Sequence, residues 1–86
     1  MSDFRQEMEA GMQRMMHGMH APSYSGNADA DFLAMMIPHH EGAIAMAKIA
    51  LKYASDAETK KMAQKIIDDQ EKQVADMQAW LKQNGH

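Results

Sequence analysis

The chain has 86 residues, a formal net charge of −3, 45% hydrophobic residues and no cysteine. That length holds one small domain over residues 1–86, and the lack of cysteine excludes disulfides and thiolate metal sites. Acids and bases are spread along the chain, leaving no basic stripe for nucleic acid and no cationic face for a membrane.

Phe4, Met8, Met12, Met15 and Met19 recur at spacings of four, four, three and four, which predicts a first helix over about 3–19 with one apolar stripe. Its end holds "MQRMMHGMH", Met12 to His20, with four methionines and two histidines in nine residues. The segment "APSYSGNA", Ala21 to Ala28, reads as a loop.

A second helix is expected over about 29–54, with acids in its first turn. Phe32, Met36, His39, Ala43, Met46, Ala47 and Ala50 fall on one side of it and Glu41, Lys48 and Lys52 on the other. Pro38 removes a backbone donor and predicts a bend one turn earlier. The run from Phe32 to Leu51 is broken by Pro38, His39, His40, Glu41 and Lys48, so membrane insertion is not expected.

"SDAE" opens a third helix over about 56–83, with Ser55 and Glu58 in capping-box spacing. Met62, Ile66, Gln73, Met77 and Trp80 form its expected core line, flanked by Ile67, Val74 and Leu81, and Asn84 and Gly85 supply the stop. The short connection at Ser55 makes helices two and three an antiparallel hairpin, with helix one lying along it. Equal distances from the turn place His39 and His40 mid-bundle, opposite Gln70 and Glu71. The fold class is therefore all-α, a three-helix bundle without strands.

The chemistry concentrates on helices one and two. A spacing of four aligns Met35 with His39 and Met36 with His40, and Met46 follows two turns after His39. Uncharged thioethers beside imidazoles favour Cu(I), or the related Ag(I), over hard cations, and Cu(II) is a further candidate. Met and His without Cys also suit an oxidising compartment.

Packing is the competing reading for every methionine, and it is the one adopted for Met62 and Met77. Helix one has no Leu, Ile or Val, although leucine would pack with better-defined rotamers, so Met12, Met15, Met16 and Met19 are assigned as ligands. His20 extends this cluster, and His17 joins it only if Gly18 ends the helix. His39 has a competing reading as a core histidine bonded to Gln70 or Gln73, residues that would equally orient a metal-binding ring.

Enzyme signatures are not met. No glutamate is followed three residues later by histidine, as a di-iron bundle needs, and Ile44 stands where a zinc-protease motif needs its second histidine. A ferritin-like redox enzyme is thus the weakest reading, and no catalysis is expected.

"DFLAMMIPHHEGAIAMAKIAL", Asp31 to Leu51, and "IIDDQEKQVADMQAWL", Ile66 to Leu81, resemble domain-of-unknown-function family 305 over more than half of the chain. The resemblance implies a small ferritin-like helical bundle, commonly exported, with some members binding copper or silver and contributing to metal tolerance, and no enzymatic activity. Its motif falls on Met36, His39, His40 and Met46, with Met35 in the same segment. The Met-His run of helix one lies outside that segment, so its ligand role rests on residue chemistry.

The sequence thus points to a copper-binding protein for sequestration, delivery or metal tolerance, with a metal-transfer protein as a further partner. The alternative is a Met-rich interaction or dimerisation module without metal, and a homodimer would help so small a core. A periplasmic or extracellular mature domain is expected from the family and the missing cysteine. "MSDFRQEMEAGM" has no signal-peptide pattern, which keeps a cytoplasmic location open.

Overall fold

The computed structural model describes residues 3–19 and 24–86, with the side chains of 17–19 outside the description. Three helices form: α1, Asp3–Met19; α2, Ala28–Tyr53; and α3, Ala57–Gln83. No strand occurs among the described residues. The all-α, three-helix organisation expected from the apolar periods is observed.

Local chemistry sets the ends of each helix. Asn27 caps α2 by accepting from the Ala30 amide at 3.1 Å, and Asp31 gathers the preceding loop by accepting from the Ser25 amide and hydroxyl, both at 2.8 Å. The cap of α3 is Asp56, one residue beyond the expected Ser55. Its carboxylate accepts from both the amide and the hydroxyl of Thr59, each at 2.8 Å. A charged acceptor with two donors at the positive end of a helix displaces the neutral serine. At the far end, Gly85 adopts φ +78° while the His86 amide bonds Leu81 O and the Gly85 amide bonds Lys82 O, a Schellman stop. α2 runs through Pro38 as one helix.

α2 is central: α1 packs on one flank of it and α3 on another. Among the described residues no Cα of α1 comes within 8 Å of one in α3. The bundle is therefore drawn out into a layer measuring 44 × 24 × 14 Å, about one helix deep. On the α3 flank, Ala47, Ala63 and Ile67 form the buried centre, with Ile44, Ala50 and Leu51 packed around it. On the α1 flank, Met15 lies over Gly42, Gly11 faces Ile49, and the Phe4 ring meets Tyr53 edge-on at 5.7 Å. Glu7 accepts from Lys52 Nζ and the Tyr53 hydroxyl and pins the same seam.

The buried line of α3 differs from the expected one. Ala63, Ile67 and Val74 are buried, whereas Met62 is 63% exposed and Ile66 44% exposed. Met62 is thus not a core residue, although Met77 is half-buried as expected. The helix is turned by about 100°, one residue, from the sequence reading, because small Ala63 lets α3 approach Ala47 closely.

Candidate metal site

α2 has flanks against α1 and α3, and its third side is open. Gly42 and Ile49 face α1, while Ala47, Ile44 and Leu51 face α3. Between these flanks lie Phe32, His39, Ala43, Met46 and Ala50, which share one side of the helix at spacings of seven, four, three and four. Of the expected inward face of α2, Phe32, 59% exposed, and His39 lie open, whereas Ala47 is buried and Ala50 packs against it. His39 is therefore not a core histidine, and Gln73 is likewise exposed. α1 and α3 flank this open side, and among the described residues no further helix covers it.

His40 is half-buried and turned toward α3. Its Nδ1 lies 2.8 Å from the Met36 carbonyl oxygen one turn earlier. A carbonyl only accepts, so Nδ1 carries the proton and the lone pair of the ring sits on Nε2. The His39 and His40 rings are 6.0 Å apart between centroids, close enough to share one ion at bonds of about 2 Å. Met35 and Met36, one turn before them, and Met46, about two turns after His39, are half-buried.

From α1, Met15 enters the seam beside Pro38 and Gly42. Met12 and Met16 are 47% and 52% exposed. Arg14 lies in a groove with Glu41 on the opposite side of the layer, and Met12 and Met16 are each about 200° round the helix from it. They therefore point to the open side that carries His39. α1 continues through Gly18 to Met19, so the early helix end on which a role for His17 depended does not occur. The side chains of His17 and Met19, and all of His20, lie outside the described residues.

The two sides of the layer differ in charge. One groove is lined by Glu41, Lys48 and Glu71. The other, between α2 and α3, is lined by Ala43, Met46, Ala50, Thr59, Met62 and Ile66 and holds no charged group. Met62, expected in the core, thus lies beside Met46 in this groove. The available signal was the run Ala63, Ile67, Gln70, Val74, Met77 and Leu81, at spacings of four and three, which marks the true buried line. Among the described residues no three His, Asp or Glu side chains converge on one point. Sulfur is the donor this side has in quantity.

Fold and surface together define a small all-α protein whose α2–α3 groove is lined by Met46 and Met62 without a charged group, with His39 on the same side of α2. A family model described as a domain of unknown function, DUF305, matches residues 1–81, and the chain belongs to that family. No curated protein matches the chain. No described helix is long and apolar enough to cross a membrane.

Proposed function

We propose that this protein binds Cu(I), with Ag(I) and Cu(II) as further guests, through Met and His side chains, for sequestration, delivery or metal tolerance rather than catalysis. The observation that carries the reading is the His40 ring: Nδ1 is committed to the Met36 carbonyl at 2.8 Å, which orients Nε2 as a coordinating atom. His39 beside it and the thioethers of Met35, Met36 and Met46 complete a soft donor set on α2. Met12, Met15 and Met16 of α1 supply a second group, which Met19 and His20 would extend. A donor set without thiols fits a periplasmic or extracellular setting. Exposed Met12 and Met16 suit ligand exchange with a metal-transfer protein.

The test is anaerobic titration of the protein with Cu(I) against a coloured Cu(I) chelator. Wild type is compared with His39→Ala/His40→Ala and with Met12→Leu/Met16→Leu. Competition by wild type that weakens in both variants supports two groups of ligands. Copper left wholly with the chelator by wild type would falsify the reading.

A further inference from the structure

The uncharged groove between α2 and α3 has a second property, independent of metal. A globular monomer of 9.7 kDa exposes about 5,100 Å², whereas this chain exposes 6122 Å². Its radius of gyration is 14.8 Å against about 12 Å for a compact chain of 86 residues. The excess of about 1,000 Å² matches the roughly 800 Å² that each partner buries in a stable interface. A layer one helix deep also lacks the second layer that domains use to cover an apolar face.

We infer that a second copy of this chain packs on the groove formed by Ala43, Met46, Ala50, Met62 and Ile66, giving a two-layer dimer. Shape favours a second copy: Met62 and Ile66 project from α3 beside the shallow row of Ala43 and Ala50 on α2. A two-fold rotation lays the ridge of each copy along the trough of the other. Charge favours the same face. Each chain carries a net charge of −3, and no charged group lines this groove, whereas Glu41, Lys48 and Glu71 line the reverse one.

Light scattering after gel filtration, and sedimentation over a hundredfold range of concentration, test this in the presence of a Cu(I) chelator. Wild type is expected at twice the chain mass of 9.7 kDa at the upper end of the range. Met62→Glu/Ile66→Glu is expected at the chain mass with helical circular dichroism retained, and Lys48→Glu, on the reverse side, stays dimeric. Because neither changed position belongs to the proposed ligand set and both are exposed in the single chain, the monomeric variant keeps its competition for Cu(I), which separates this inference from the copper reading. A wild type at the chain mass throughout overturns the dimer, and a Met62→Glu/Ile66→Glu protein at twice that mass overturns this face. Should that variant unfold, wild type decides alone: oxidation of Met62 by peroxide slows as concentration rises if the face is covered, and is unchanged if it is not.

Discussion

The Met15 side chain rests on the bare backbone of Gly42. A Cβ at Gly42 would sit 2.5 Å from the Met15 sulfur and 2.8 Å from its Cβ. The Cβ of Met15 is fixed by its own helix, so the close approach belongs to α1 and α2 as bodies and not to one mobile side chain. It brings the Met-rich helix down to the level of Pro38, one residue before the histidine pair.

Gly42→Ala and Gly11→Ala are expected to change stability in opposite directions. At Gly42 the new methyl forces the helices apart, an overpacking cost of about 1–3 kcal/mol set against about 1 kcal/mol gained in helix propensity. The net loss of about 1 kcal/mol corresponds to a fall in Tm of about 4–8 °C for a domain of this size. At Gly11 the nearest atom is Ile49 Cδ1 at 3.8 Å, an ordinary contact, so the propensity gain stands and Tm rises. Thermal melts of both proteins decide it; a Gly42→Ala protein as stable as wild type would show that the seam yields freely.

That seam was not legible in the sequence, because a hydrophobic period gives no weight to glycine. Phe4 and Met15 mark the packed side of α1 correctly, but Met12, from the same stripe, is exposed, since Gly11 takes the position nearest α2. The helices themselves were legible: their periods are long and their ends carry Asn27, Asp56 and Gly85. Ser55 and Asp56 are adjacent residues of equal capping preference, so spacing could not choose between them. The alignment of Met36 with His40 was legible too, and the His40 ring meets the Met36 carbonyl one turn earlier. The openness of the side that carries His39 was not, because it depends on where α1 and α3 both settle.

The pin between α1 and α2 gives a pH dependence with a defined sign. The Tyr53 hydroxyl, with Lys52 second, holds the Glu7 carboxyl below its usual range, while Glu7 raises both Lys52 and Tyr53. A lowered carboxylate contributes stability that is present above the unfolded value of about 4.3 and lost as pH falls through the folded value. The raised Lys52 and Tyr53 contribute below their unfolded values of about 10, and that part is lost as pH rises through the folded ones. The protection of α1 amides, relative to their intrinsic exchange at each pH, should therefore fall at both extremes. In Tyr53→Phe the Glu7 carboxyl should titrate nearer its ordinary value by NMR; an unchanged titration would remove the hydroxyl as the cause.

Asp56→Ala should lower Tm by several degrees, whereas Ser55→Ala should leave it close to wild type, because only Asp56 bonds the first turn of α3. Thr59 holds the Asp56 carboxyl below its ordinary range, first through its hydroxyl and then its amide, so this contribution is present near neutrality and lost on acidification through the folded value. Melts at neutral and acid pH check both parts. Equal losses in the two variants would return the cap to a shared or Ser55-based arrangement.

Peroxide footprinting read by mass spectrometry separates the metal reading from the dimer in one experiment. In a dilute single chain Met62, at 63% exposure, and Met16 and Met12, at 52% and 47%, should oxidise ahead of half-buried Met15, Met46 and Met77. Ag(I) resembles Cu(I) in its preference for sulfur without adding redox chemistry of its own, so it serves as the bound ion. Under dilute conditions it should protect Met12 and Met16, whose sulfurs it would occupy, and leave Met62 reactive. Raising the protein concentration without metal should protect Met62 instead, since a second copy would cover it. Protection of Met62 by Ag(I) in the dilute chain would move the metal into the α2–α3 groove, and loss of both effects would reduce the methionine-rich side to a solvated surface.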